Sequence, residues 1–177
     1  MAQIYVDMDG VLAVWNENAS EEETHEPGYF INREQELSSL SLVRILKDKG
    51  FDVQILSSVY VDDHSMEEKR KWLDNAGLSD VDAIFVPYGE KKDDYIAPTG
   101  TPILIDDYTK NLRSWEAAGY IPIKFMNGIN NRPKVKIEGD IMKIELDSWD
   151  GFSIDHRMTP MQMYTVVSAV VKEQMLA

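Results

Sequence analysis

Ile4-Tyr5-Val6-Asp7-Met8-Asp9-Gly10-Val11-Leu12 places two carboxylates two residues apart at the end of a short apolar run. Ile4 to Val6 has the length and side-chain character of a buried strand. Alternate side chains of a strand share a face, so Asp7 and Asp9 leave the chain on the same side. Gly10 directly afterwards lets the backbone turn sharply. Parallel α/β sheets bind ligands at the carboxyl ends of their strands, and two acids at that edge repel one another unless a cation or a reaction uses them. A calcium loop of the EF-hand type is excluded, because its third acidic position falls on Val11 and its closing glutamate on Asn18.

Outward from this stretch, short apolar runs alternate with segments of helical period. Ser38 to Lys49 predicts a helix stopped by Gly50, and Val53 to Leu56 a second strand. Asp63 to Ala76 predicts a charged amphipathic helix, Ala83 to Val86 a strand, and Ile103 to Ile105 the next. A helix from about Thr109 to Ala118 and a strand over Ile121 to Phe125 follow. Repeated β-then-α order predicts an α/β fold, a Rossmann-like parallel sheet flanked by helices on both faces. After Phe125 the order changes. Asn127 to Asn131 is a turn-rich loop, Val135 to Leu146 predicts a hairpin turning at Glu138-Gly139-Asp140, and Thr159-Pro160 starts a closing helix over Met161 to Met175. The whole chain, 1–177, reads as a single domain with a short cap segment over about 12–36 and a C-terminal hairpin and helix appendage over about 127–177.

The formal net charge of -13 disfavours bulk nucleic-acid binding, which depends on Lys and Arg displacing counterions. The same charge would repel a phosphorylated metabolite unless a bound cation reverses the local field. The absence of cysteine excludes disulfides, zinc thiolates and a cysteine nucleophile. No run is long enough to span a bilayer, and the N-terminal residues lack a secretory pattern, so the expected location is cytoplasmic.

Three further features stand at later strand ends. Ser57 and Ser58 close the second strand with hydroxyls, which donate to phosphoryl oxygens without adding charge. Lys91 and Lys92 precede the fourth strand, where one ammonium neutralises an anion. Asp106 and Asp107 end that strand with the oxygen ligands that Mg²⁺ prefers.

Residues 3 to 125 resemble, on these motifs and in this order, the haloacid dehalogenase-like phosphatase superfamily. The resemblance implies a Mg²⁺-dependent phosphomonoesterase with Asp7 as nucleophile and Asp9 as acid and then base. It implies phosphate binding by Ser57, with Ser58 a further donor, and by Lys92 or Lys91. It implies metal ligation by Asp7, the Asp9 backbone carbonyl and one of Asp106 and Asp107. A second acid at Asp9 favours phosphoester hydrolysis over dehalogenation, since only the former has a leaving oxygen that needs a proton.

Pro27-Gly28-Tyr29-Phe30 is similar to the 5'(3')-deoxyribonucleotidase branch, which implies a (deoxy)nucleoside 5'-monophosphate as substrate and makes Trp15, Tyr29 and Phe30 candidates for the base pocket. The short segment between Leu12 and Thr24 departs from that branch, whose substrate is covered by a helical cap. The site is therefore expected to be open. Another small phosphorylated metabolite, or a non-catalytic binding or regulatory module, is the alternative, and the appendage is a candidate homodimer contact.

Overall fold

The structure is a computed structural model that describes residues 2–132, 134–138, 141–145 and 147–176, with side chains described outside 134–145 and 175–176. Six strands form one parallel sheet in the order β3-β2-β1-β4-β5-β8. They are β1 (Gln3–Val6), β2 (Asp52–Val59), β3 (Ala83–Pro87), β4 (Pro102–Asp106), β5 (Ile121–Met126) and β8 (Ser153–Asp155). Strands β6 (Lys134–Glu138) and β7 (Ile141–Glu145) pair antiparallel as the expected hairpin, whose turn at Gly139-Asp140 lies outside the described residues.

The middles of the central strands are largely apolar because both faces are covered. Ile4, Val6, Ile55, Ile103 and Ile105 share one core with α2 (Leu37–Asp48), α3 (Ser65–Asn75) and α5 (Pro160–Leu176). The intervening Tyr5, Leu56 and Leu104 join Leu112 and Trp115 of α4 (Thr109–Ala117) on the other face. Period-two alternation thus divides each strand between two cores. The segment after β5 does more than append a hairpin: β8 pairs with β5, and α5 packs against α2.

Two boundaries differ from the sequence reading for physical reasons. α3 starts at Ser65 rather than Asp63, because the Asp62 carboxylate accepts the amides of His64 and Ser65 at 3.0 and 2.7 Å and closes the helix start from outside. β2 runs on to Val59, so Ser57 and Ser58 are strand residues paired with Phe85 and Val86.

The segment between β1 and α2 contains one short helix, α1 (Glu21–Thr24), closed by a reciprocal capping box between Ser20 and Glu23. It is pinned to α3 rather than draped freely. Glu68 accepts the amides of Gly28 and Phe30 at 2.6 and 3.1 Å, and the Trp72 indole donates to the Arg33 carbonyl at 2.8 Å.

Candidate active site

The register of the sheet brings the acids together. Val6 pairs with Ile105, so Asp7 and Asp106 continue adjacent strands at their carboxyl ends, and the Asp7 amide donates to the Ile105 carbonyl at 2.9 Å. Lys92 opens a one-turn 3-10 helix (Lys92–Tyr95) and is buried. Its ammonium lies 2.8 Å from Asp7 Oδ1 and 2.7 Å from Asp106 Oδ2. Lys91 is exposed, and among the described residues only Lys92 of the two lysines pairs with these acids.

Asp106 and Asp107 divide their work. Asp106 Oδ1 accepts the Tyr108 amide at 2.7 Å, and Oδ2 accepts Asn111 Nδ2 at 2.9 Å besides Lys92, so both oxygens are committed. Asp107 Oδ2 accepts Asn127 Nδ2 at 2.7 Å and Asn130 Nδ2 at 2.5 Å, while no hydrogen bond among the described residues reaches Oδ1. Asp107 therefore fits direct metal ligation better than Asp106. Gly10 makes room for it. A Cβ at that position would lie 2.2 Å from Asp107 Oδ2, and its φ of +79° is one that other residues rarely adopt.

Asp7, Asp106 and Asp107 are all buried, and each offers an oxygen to a cluster within 4.8 Å. Burial pushes the Asp7 carboxyl up to about 7; Lys92 opposes the rise, while Asp106 and Asp9 add to it. Burial, then Asp106 and Asp7, push Asp107 well above the usual carboxylate range. Burial also disfavours the Lys92 charge, but Asp106 and Asp7 outweigh it and hold the ammonium above its ordinary range. One ammonium against three carboxylates leaves excess negative charge in a desolvated site, the electrostatics that a hard cation relieves.

Asp9 has its own cation, which sequence reasoning missed. Lys69, on α3, is buried; it bonds Asp9 Oδ2, donates to Ser57 Oγ at 3.1 Å and to the Ser58 carbonyl at 2.5 Å. Its ammonium also lies 4.4 Å from the centre of the Phe30 ring. Asp9 Oδ1 is buried and has no hydrogen-bond partner among the described residues. Lys69 was hidden because Glu67-Glu68-Lys69-Arg70-Lys71 reads as a solvated charged face; only its position on the inward side of α3 was a signal.

Asp7, Asp9, Asp107, Lys69 and Ser58 line a cavity of about 340 Å³ whose other walls are largely aromatic. Trp15 and Phe30 line it together with Tyr60, Tyr88 and Tyr108. Ser57 is fully buried beneath Lys69 rather than on the cavity wall. Tyr29 requires correction: it is buried outside the lining, edge-on to Trp15 and Phe30 with Arg33 over its ring at 4.3 Å. It buttresses the wall instead of presenting a face. The His25 ring stacks on that of Tyr60, centroids 3.8 Å apart, and so extends the aromatic cluster.

No family model matches the sequence, and a search of curated proteins finds no match. Among solved structures, the fold is similar to that of an uncharacterized protein from Listeria monocytogenes serotype 4b, with a TM-score of 0.59 and 15% identity. The alignment covers 95% of this chain and 99% of that one. The likeness carries the α/β Rossmann-like architecture across nearly the full length. Among the described residues, no helix is long and apolar enough to cross a membrane.

Proposed function

We propose that this protein is a Mg²⁺-dependent phosphomonoesterase of the haloacid dehalogenase-like type, working through an aspartyl phosphate on Asp7. The observation that carries the reading is the buried Asp7–Lys92–Asp106 chain beside Asp107, opposite an Asp9 with one oxygen held by Lys69 and the other orphaned. The residues fit the metal: Asp7 and Asp107 side chains and the Asp9 carbonyl would hold Mg²⁺, with Asp106 holding Lys92 in place. Bound Mg²⁺ would supply charge neutralisation and Lewis-acid stabilisation of the phosphoryl oxygens.

An Asp7 oxygen attacks phosphorus as the P–O ester bond breaks, and Asp9 Oδ1 delivers its proton to the leaving oxygen. Water then attacks phosphorus of the aspartyl phosphate, Asp9 takes the water proton, and inorganic phosphate leaves with the Asp7 carboxylate restored. Lys92 keeps Asp7 oriented and offsets phosphoryl charge, while Ser58 offers polar contact at the cavity wall. Lys69 fixes one Asp9 oxygen, which leaves the other as the proton carrier.

The aromatic walls of Trp15, Phe30, Tyr60, Tyr88 and Tyr108 support a planar organic group, so nucleotide phosphoesters are the substrate class, with a (deoxy)nucleoside 5'-monophosphate as the simplest member. Phosphate release from a panel of nucleotides and sugar phosphates, with Mg²⁺ and with a chelator, tests this. Turnover should require Mg²⁺, and Asp7→Asn should lower kcat at least about 10³-fold while still binding substrate. Absence of release from every ester, or full activity in Asp7→Asn, overturns the reading.

A further inference from the structure

Beside the aromatic cavity lies a larger one of about 710 Å³. The two share Ser58, Tyr88, Tyr108 and Asn111, which makes them adjacent lobes of one cleft. Their chemistry differs. The second lobe is lined by Lys91, Lys92, Lys110 and Arg113 against only two acids, Glu90 and Asp93, in a chain with 18 basic and 31 acidic residues. The sign of the protein's charge is reversed there.

Some of that charge is already engaged. Lys92 serves Asp7 and Asp106, and Arg113 is held by Glu116 and Asp150. Asp93 is occupied too, accepting from Ser114 Oγ at 2.9 Å. Lys91 and Lys110 are exposed and form no ion pair among the described residues. The first turn of α4 contributes to the same lobe through Lys110 and Asn111, and its cap residue Tyr108 makes no side-chain hydrogen bond to the helix start. Two unengaged ammonium groups and a helix start without a side-chain cap together favour a multiply charged oxyanion.

We propose that the substrate carries a second phosphoryl group and that this lobe binds it. The scissile phosphate occupies the Asp7 lobe, the second lies between Lys91, Lys110 and the start of α4, and the organic body spans the seam at Tyr88 and Tyr108. These two rings are 70% and 52% exposed, so both have faces open to a ligand. A substrate with two phosphates needs this lobe more than a monophosphate does, because the protein's overall charge repels it more strongly. The proposal rests on the phosphatase reading and names the substrate class for that site.

The test uses two matched pairs: nucleoside 3',5'-bisphosphates against 5'-monophosphates, and a hexose 1,6-bisphosphate against the 6-phosphate. Phosphate release with Mg²⁺ should favour the bisphosphate of at least one pair by about tenfold or more in kcat/KM. Lys91→Ala/Lys110→Ala, which changes two exposed side chains, should collapse that ratio to about one. Equal kcat/KM within both pairs, or a ratio unmoved by the double substitution, overturns the proposal. Binding to Asp7→Asn, followed by calorimetry with the same pairs, separates the two readings. Tighter bisphosphate binding that depends on Lys91 and Lys110 upholds the lobe even without turnover, whereas equal binding of both members sinks it.

Discussion

Lys69 and Asp9, sixty positions apart in sequence, form an ion pair in which the lysine is buried and a single carboxylate oxygen is engaged. The pair joins α3 to the loop after β1, so the acid that carries the proton in the proposed mechanism is oriented by a different βα unit from the one that carries the proposed nucleophile. Asp7 and Asp9 pair with different ammonium groups, Asp7 with Lys92, which also holds Asp106, and Asp9 with Lys69.

Lys69→Met should expose the value of that arrangement. It leaves Asp9 unpaired, and kcat should fall about 100-fold while KM changes by less than about threefold, because orientation of the proton carrier is lost rather than substrate contact. Steady-state kinetics beside a melting curve checks this. A rise in KM at constant kcat would instead assign Lys69 to substrate binding.

Metal-free stability should fall between pH 5 and pH 8. Asp7 has a folded pKa of about 7, above its unfolded value, and Asp107 is shifted the same way. A raised carboxyl contributes stability below its unfolded pKa, and that contribution is lost as pH rises through the folded one. Asp155 is shifted down to about 2 and Lys92 upward, so both keep their charge through this window. Thermal unfolding in chelator should drop by roughly 5 °C or more across the range. Mg²⁺ should restore most of the loss at pH 8 and do little at pH 5, since it competes with protons for the same oxygens. A metal effect independent of pH would count against Asp7 and Asp107 as ligands.

Phe30→Ala and Tyr60→Ala should each raise KM for nucleoside monophosphates about tenfold, the scale of one lost base-stacking contact. Acetyl phosphate, which has no ring to stack, is the control substrate and should respond by less than about twofold to Tyr60→Ala. Equal losses on both substrates would mean that the ring supports the site without touching a base.

Gly10→Ala should remove the metal response. Its Cβ would overlap the Asp107 carboxylate in a backbone conformation that alanine resists, so Asp107 must move. We expect destabilisation on the order of 1–3 kcal/mol and loss of Mg²⁺-dependent stabilisation, measured by unfolding with and without the ion. An unchanged metal response would show that Asp107 is not a ligand.

Much of the fold was legible in the sequence because the patterns that specify it are local. Period-two and helical-period segments mark the strands and helices up to Phe125, and the Asp7-to-Gly10 stretch marks a strand end whatever follows it. Three-residue β8 was not separated, since so short a strand has no periodicity and is recruited by pairing with β5.

By itself, then, the sequence determined the α/β class, the order of its units and the residue types gathered at the strand ends. Tertiary structure alone decided among them. It chose Lys92 over Lys91, left Asp107 rather than Asp106 with a free oxygen, turned Tyr29 from a pocket face into a buttress, and brought Lys69 inward to Asp9. Each choice depends on the direction of a side chain across a gap between elements far apart in the chain. Local spacing carries no such information, whereas burial and charge pairing do.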